Sequence, residues 1–220
     1  KMYQAFGHHF DFIAIPIIKK RLRMDTSQVI INEERPQLTK HLATRFKEKI
    51  GQNVNLLGEV VLGNEEADHR YHHYLEALES PDINYISVKI SGIYAQTHAL
   101  NYEESFPELV SRMSALYQKA IDFPYTDEDG IKRSKFINLD MEEYKDAHFT
   151  LRLFKAVLNL PQFKNYSAGI VVQAYLPDAY DFQTELLEFA KARIDGGGAP
   201  IKMRLVKGCN LEMETVISSL

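Results

Sequence analysis

Three cationic side chains, those of Lys202, Arg204 and Lys207, lie in a segment that otherwise has the composition of a buried β-strand. This segment, residues 201–208, ends in a glycine and is followed by the acidic start of a helix. A strand buried on both faces is normally a near-continuous run of Val, Ile and Leu, because an unpaired buried charge is costly even after its surroundings relax. The cations therefore predict that an anionic ligand binds at this strand.

Three earlier segments carry polar side chains on one face and apolar side chains on the other, since side chains alternate along a strand. The carboxyl ends of parallel strands meet at one edge of a sheet, so we expect these polar side chains to converge on one pocket. They are Ser87, Lys89 and Ser91 in segment 85–91, Asn138 and Asp140 in segment 136–140, and Gln173 and Tyr175 in segment 170–175.

Length and composition indicate one globular domain, or one and a half. A chain of 220 residues that is 45% hydrophobic can bury a core. Its 26 basic and 30 acidic side chains nearly balance, so no long-range field attracts nucleic acid. The single cysteine, Cys209, excludes an internal disulfide and fits a reducing, cytoplasmic compartment. The apolar run 10–18 is too short to span a bilayer and is unlike a cleavable signal peptide.

Helical and strand periodicities alternate along most of the chain. An amphipathic helix begins at Pro36 and ends at Gly51. This strict alternation predicts a parallel sheet with right-handed crossovers, interrupted by an exposed turn-rich excursion at 125–130. The predicted strands are 54–61, 85–91, 136–140, 169–175 and 201–207, and the predicted helices between them are 65–79, 103–121, 142–158 and 182–194.

Two architectures have this order of elements. A doubly wound sheet usually carries G-x-G-x-x-G after its first strand, and Gly58 and Gly63 do not match that spacing. Polar residues that recur on successive strands suit the inside of a barrel better than a single crevice. We therefore predict an α/β fold, a (β/α)8 TIM-like barrel that stops after about five βα units. The expected division is an N-terminal helical segment, 1–52, and the partial barrel, 53–220.

Four motifs, in this order along the chain, resemble the strand motifs of the proline dehydrogenase family. The likeness covers about residue 53 to the end, and four ordered motifs are far more specific than one. The segment Asn210-Leu211-Glu212-Met213-Glu214 is similar to the branch in which this domain is fused to a glutamate-semialdehyde (pyrroline-5-carboxylate) dehydrogenase. The four motifs are Ser87-Val88-Lys89-Ile90-Ser91, Asn138-Leu139-Asp140-Met141-Glu142-Glu143, Val172-Gln173-Ala174-Tyr175 and Arg204-Leu205-Val206-Lys207-Gly208.

The resemblance implies that FAD oxidises L-proline to pyrroline-5-carboxylate and that the electrons pass to a quinone. It also implies NAD for a fused dehydrogenase domain, and it allows peripheral association of the whole enzyme with the inner membrane. Lys89 would then pair with the substrate carboxylate, Asp140 would belong to the active site, and Arg204 would lie beside the reactive edge of the flavin. The implied cofactor-binding residues are Met141, Gln173, Arg204, Val206, Lys207, Gly208 and Cys209.

Physical chemistry supports these roles independently of the family. A cation such as Lys89 attracts a carboxylate more strongly in a dry pocket than in water. Hydride transfer to a flavin leaves negative charge on its ring, which a fixed guanidinium such as that of Arg204 stabilises. Asp140 would balance these cations, and we expect them to keep its pKa low and to make it a poor proton acceptor.

Two departures from the family pattern concern binding of the substrate. Asn210 stands where a member of the family has an aromatic ring, and the carboxylate-binding arginine pair of the family's eighth helix lies beyond these residues.

Lys1 at the start and Leu220 within a predicted helix suggest a fragment. Five strands would leave two open edges, which would pair with another copy or be covered by the N-terminal helices. We therefore expect the fragment alone to be inactive.

Several of these residues also have structural interpretations. Lys89 and Lys207 could be ion-paired structural lysines. Asp140 could cap a helix beginning at Glu142, and Glu142 and Glu143 could complement its dipole. Three histidines share a helical face at metal-like spacing, but that face is opposite the apolar stripe, which predicts surface residues and no metal: His69, His72 and His73.

Two other classes of function remain open from the sequence. A Schiff-base aldolase-type barrel would use Lys89 or Lys207 as a desolvated amine that attacks a carbonyl substrate. Borohydride trapping would reveal this chemistry, whereas a yellow protein would not fit it. A piece of a larger enzyme could also be a folding or interaction module without chemistry of its own.

Overall fold

A computed structural model describes residues 11–26, 30–31, 35–56, 63–95, 102–208 and 210–219. The chain divides into two compact units, residues 1–50 and 51–220. The first unit contains helix α1 (Asp11–Thr26) and helix α2 (Arg35–Lys47). Within the described ranges, no helix is long and apolar enough to cross a membrane.

The second unit alternates strands and helices, as the periodicities predict. Five of its strands form one parallel sheet in the order β1-β2-β5-β6-β7, while β3 and β4 form a separate antiparallel hairpin within the turn-rich excursion. The elements are β1 (Val54–Asn55), α3 (Asn64–Glu79), β2 (Tyr85–Lys89), α4 (Tyr102–Asp122), β3 (Tyr125–Thr126), β4 (Lys132–Arg133), β5 (Phe136–Asp140), α5 (Ala147–Leu158), β6 (Gly169–Gln173), α6 (Ala179–Asp195), β7 (Lys202–Val206) and α7 (Leu211–Ser218).

This order of five parallel strands, each followed by a helix, confirms the predicted α/β fold with successive units of a TIM-like barrel. The hairpin β3–β4 was not predicted, because its two-residue strands carry too little periodicity to be recognised. The predicted strand 54–61 is described only as β1, and residues 57–62 lie outside the described ranges.

One face of the sheet is apolar and packs beneath the helices. α4 lies between α3 and α5 and contacts both of them. Burying one aliphatic side chain contributes roughly 1.5–3 kcal/mol to folding. The apolar residues therefore determine that this face of each strand points towards the helices and that the polar face points away from them. The fully buried strand residues are Ile86, Val88, Ile137, Leu139, Ile170 and Val172.

The opposite face is the barrel interior, and near the strand starts it is aromatic. The rings of Tyr85 and Phe136 meet edge to face, 5.0 Å between centroids. The ammonium of Lys202 lies 5.4 and 5.7 Å from these two ring centroids. The electron-rich ring faces attract the charge of Lys202, so this cation has partners within the protein.

A glycine in β6 makes room for this interior layer. A Cβ atom at Gly169 would lie 2.7 Å from Asn138 Oδ1 and 2.9 Å from the ring of Phe136. A side chain at this position would push both residues out of place. Gly169 therefore allows β5 and β6 to carry large side chains on the interior face.

The expectation that β7 is buried on both faces is wrong. Among the described residues β7 is an edge strand that pairs only with β6, and Leu205 is 58% exposed. Its outward side chains lack the layer of helix that covers the apolar residues of β6. Placing charged side chains in this strand therefore costs less free energy than it would in a strand that is buried on both faces.

A buried lysine joins the start of β5 to the end of α3. Lys135 is 2% exposed, and its ammonium donates a hydrogen bond of 2.5 Å to the carbonyl of Ser80, just after the helix. A cation there stabilises the partial negative charge of the helix C-terminus. Burial nevertheless lowers the pKa of Lys135 to about 8, and the charge of Asp82 offsets only part of this effect.

We expect the free energy of unfolding to rise with pH between about 8 and 10.5. In this window the unfolded chain, with an ordinary lysine pKa of 10.5, retains a proton that folded Lys135 has released, so raising the pH favours folding. Relative to Lys135→Met, wild type should gain about 1–2 kcal/mol between about pH 7.5 and pH 9.5. Urea unfolding at these two pH values measures the gain, and an equal pH response of both proteins would contradict the assignment.

Candidate active site

Polar side chains from four strands meet at the carboxyl edge of the sheet. Lys89 and Asp140 end β2 and β5 and are register partners, Gln173 ends β6, and Arg204 lies in β7. They border a cleft of about 410 Å3. The residues lining the cleft are Asn55, Lys89, Asp140, Met141, Glu142, Val171, Gln173, Arg204, Val206, Gly208 and Asn210.

Asp140 is the most buried charge of the cleft, at 8% exposure. Its Oδ1 accepts hydrogen bonds from Arg204 Nη2 (2.7 Å), Asn138 Nδ2 (2.7 Å) and Ser87 Oγ (3.2 Å). These bonds tie β5 to β2 and β7. Asp140 therefore does not cap a following helix, because its carboxylate is engaged by side chains of the sheet.

The pKa of Asp140 is raised, although we expected neighbouring cations to keep it low. Burial of the carboxyl group is the largest cause, and the charge of Arg204 and the hydrogen bonds from Ser87 and Asn138 offset it only in part. Asp140 is consequently a better proton acceptor than the sequence suggested.

Lys89 already has an anionic partner within the cleft. Its Nζ lies 3.2 Å from Glu142 Oε1, and Ser91 Oγ donates a 2.5 Å hydrogen bond to Glu142 Oε2. Glu142 was not among the predicted site residues. A signal was present, because Asn138, Asp140 and Glu142 follow one another at intervals of two and so continue the polar face of β5 beyond its last residue.

The segment after β5 is held extended by two amide side chains. Gln173 Nε2 donates to the carbonyls of Met141 (3.1 Å) and Glu142 (3.0 Å), and Asn210 Nδ2 donates to the carbonyl of Glu142 (3.1 Å). The predicted helix start at Glu142 is therefore wrong. A short 3₁₀ turn, Tyr144–Asp146, comes first, and α5 begins at Ala147. Asn210, which stands where a member of the family that the motifs resemble has an aromatic ring, thus holds this segment by a hydrogen bond.

The turn after β7 reaches the cleft at Gly208, which has no side chain. Gly208 has φ +110, a conformation that favours glycine, and a Cβ atom at this position would overlap the ring of Tyr175. Val206 and Gly208 line the cleft. The side chain of Lys207 is exposed, and Cys209 lies outside the described residues.

Two buried polar atoms of the cleft have no hydrogen-bond partner among the described residues. They are the acceptor Gln173 Oε1 and the donor Arg204 Nε. Unpaired buried polar atoms are uncommon in folded proteins and usually mark a missing ligand or water. A planar heteroaromatic group that carries both N–H and carbonyl functions would satisfy both atoms. The residues present thus fit a flavin ring.

The histidines of α3 form no comparable site. The rings of His69 and His73 lie 4.3 Å apart between centroids, on the surface of the helix. Within the described part of the chain, no three His, Cys, Asp or Glu side chains are grouped so that they could hold a metal ion.

A sequence model of proline dehydrogenase matches residues 38–220. The chain belongs to the proline dehydrogenase family. This match covers the whole sheet and all residues of the cleft, and it confirms the resemblance carried by the four strand motifs. None of the curated protein sequences compared matches the chain.

Solved structures of proline utilization A (PutA) share the fold of this proline dehydrogenase family member. PutA from Corynebacterium freiburgense is 38% identical over 98% of this chain, with a TM-score of 0.81. PutA from Bdellovibrio bacteriovorus, in a structure inactivated by N-propargylglycine, is 30% identical over 93%, with a TM-score of 0.78. The aligned region spans 22% of the length of each of these two proteins.

Proposed function

We propose that this chain forms the cleft for FAD and L-proline of an enzyme that oxidises L-proline to pyrroline-5-carboxylate, the first step of proline catabolism to glutamate. The observation that carries this proposal is the convergence of Lys89, Asp140, Gln173 and Arg204 on one cleft in a member of the proline dehydrogenase family.

FAD, when bound, supplies the acceptor of the hydride that leaves proline. We assign its binding to Met141, Gln173, Arg204 and the segment 206–209. Unpartnered Gln173 Oε1 and Arg204 Nε support this assignment, since each can bond a ring atom without giving up a bond within the protein. Gly208 lines the same cleft, and its lack of a side chain leaves room for the ring of Tyr175 beside it.

The catalytic roles of the charged residues follow from their partners. Asp140 holds Arg204 by a 2.7 Å charge-assisted bond, so the guanidinium is already oriented before the substrate arrives. Such preorganisation stabilises negative charge that develops during hydride transfer. Lys89 is the cation that receives the substrate carboxylate.

We expect Lys89→Met to weaken proline binding by about 10- to 100-fold, the size of one lost hydrogen bond to a charged group. Its FAD content should not change, because Lys89 is not among the residues to which we assign FAD binding. Steady-state kinetics and flavin absorbance measure the two effects. Lys145→Met is the control, since Lys145 pairs with Glu143 at the surface. Unchanged KM and kcat in Lys89→Met would remove Lys89 from the site.

The rest of the proposal concerns the whole enzyme. It includes a quinone as electron acceptor, a fused dehydrogenase that uses NAD, and peripheral contact with the inner membrane. Reduction of a quinone analogue, and of NAD when pyrroline-5-carboxylate is added, would test the first two points on the natural protein that contains this sequence. Flotation with vesicles would test the third.

We further propose that residues 1–220 do not oxidise proline alone. Among the described residues, β7 pairs on one side only and Leu205 is exposed, and both observations support this view, because an unpaired strand leaves one wall of the cleft open to water and invites pairing with another copy. Stoichiometric FAD and reduction of a dye by the isolated 220-residue chain on addition of proline would contradict it.

The Schiff-base alternative has little support from the geometry. Lys89 is ion-paired with Glu142 and Lys207 is exposed, whereas a Schiff-base lysine is activated by desolvation or by a neighbouring cation. Borohydride trapping with carbonyl ligands should leave the protein unlabelled.

A further inference from the structure

We propose that His69 and His73 form a binding site for a late first-row divalent transition-metal ion on the surface of α3. The site takes Cu2+ in preference to Ni2+ or Zn2+, and it does not take Mg2+. Neither histidine is among the residues that line the cleft. Metal binding is therefore a property of this chain separate from the oxidation of proline.

The two histidines stand one helical turn apart in α3 (Asn64–Glu79). Residues four apart in a helix have Cβ atoms about 5–6 Å from each other, and two histidines at this spacing on one face can chelate a metal ion. The rings of His69 and His73 lie together, with 4.3 Å between their centroids and 48° between their planes. The backbone therefore already places both imidazoles within reach of one ion.

The histidine pair is accessible from water. His69 is exposed and His73 is half-buried, whereas Tyr74 and Leu78 belong to the buried stripe of the same helix. An imidazole has two ring nitrogens, so one nitrogen can bind an ion while the other keeps a hydrogen bond. An ion can thus bind the pair without opening the core.

Charges around this turn favour a dication. Glu65 lies one turn before the pair and Glu76 lies three residues after it, so both carboxylates are on the same side of α3. Arg70 is the basic side chain nearest to the pair in sequence, and its Nη2 lies 3.2 Å from Glu66 Oε1. Its charge is therefore compensated, and the negative charge of Glu65 and Glu76 attracts a metal ion.

The type and number of ligands determine which ions bind. Over the ranges that the structure describes, no third His, Cys, Asp or Glu joins the pair in a group that could hold a metal ion, so water completes the coordination. Imidazole nitrogen suits Cu2+, Ni2+ and Zn2+, and Cu2+ binds such ligands most tightly, whereas Mg2+ prefers oxygen. A closed structural zinc site has four protein ligands, so this pair is an exchangeable surface site.

Titration of the natural holoenzyme with CuCl2, with its flavin oxidised, tests the site. Calorimetry gives the affinity, and electron paramagnetic resonance counts the nitrogens bound to Cu2+. Wild type should bind one Cu2+ ion through two imidazole nitrogens, and excess Mg2+ should not displace it. In His69→Gln and in His73→Gln the affinity for this ion should fall about tenfold or more, with one nitrogen coupling lost, because the second ligand is no longer held at high effective concentration.

His72→Gln is the matched control, since the ring of His72 lies beside Tyr71, 5.9 Å between centroids. It should leave the Cu2+ affinity and the two couplings unchanged. If one variant of the pair is unstable, the other gives the same test, because each removes one of the two ligands. Equal affinity in wild type and in both pair variants, or an equal loss in His72→Gln, would overturn the inference. All three variants should oxidise proline at the wild-type rate, so this test is independent of the proposed function.

Discussion

Replacing Arg204 by methionine should slow reduction of the flavin by proline about 100- to 1000-fold, with a much smaller effect on proline affinity. Arg204 and Asp140 form a hydrogen-bonded charge pair whose carboxylate side is 8% exposed, and removing one partner of such a desolvated pair typically costs about 2–5 kcal/mol. The guanidinium matters most when negative charge builds up in hydride transfer, so the loss should appear in the rate of reduction. Rapid-mixing anaerobic reduction measures this rate directly.

The control for this prediction is Arg152→Met. Arg152 forms a two-bond pair with Glu103 at the surface, and exposed pairs of this kind contribute little. The double replacement of Arg204 and Asp140 should lose less than the sum of the two single replacements, because the residues form one pair. Reduction of Arg204→Met at the wild-type rate would contradict the assignment.

Arg193→Met should lower the free energy of unfolding by about 3–5 kcal/mol, the largest effect on stability that we expect from a single replacement. The Arg193 guanidinium leaves α6 and donates hydrogen bonds to five backbone carbonyls, two of which, those of Phe163 and Lys164, also accept a bond from a backbone N–H group. They belong to Leu158, Phe163, Lys164, Tyr166 and Ala199.

These five carbonyls come from the end of α5 and from the connections to β6 and β7, so one side chain anchors three elements. Burial lowers the pKa of Arg193, yet its charge still complements the partial negative charge at the end of α5. Equilibrium urea unfolding, followed by circular dichroism, measures the effect. Arg152→Met again serves as the control and should change the unfolding free energy by less than about 1 kcal/mol. If Arg193→Met changed the unfolding free energy by as little as the control does, this would contradict the prediction, since water would then replace the hydrogen bonds of Arg193 without loss of stability.

The sequence predicts the sheet and much of the cleft because both depend on alternation within strands. Lys89, Asp140 and Gln173 each lie on the polar face of an otherwise apolar strand, and parallel order is enough to bring them together. Arg204 follows from the same argument, although its strand is at an edge rather than in the core.

Contacts between distant segments could not be predicted in the same way. Glu142 was interpreted as part of a helix start, since nothing local reveals that Gln173 and Asn210 hold its backbone extended. Lys202 resembled a ligand-binding cation until the rings of Tyr85 and Phe136 were seen beside it. In each of these cases the decisive partner is far away in the sequence. The spacing of Asn138, Asp140 and Glu142 indicates that the polar face continues, but it does not identify the partners that hold Glu142.

Anaerobic titration of the natural protein that contains this sequence with L-proline tests the proposed function most directly. The purified protein should be yellow, and L-proline should bleach the visible absorption of its flavin in stoichiometric amounts, while cyclopentanecarboxylate should not, because it has no amine nitrogen to form the imine product. Lys89→Met should need a higher concentration of proline for the same bleaching. A colourless protein, or a yellow protein whose spectrum L-proline leaves unchanged, would contradict the proposal that this cleft oxidises proline.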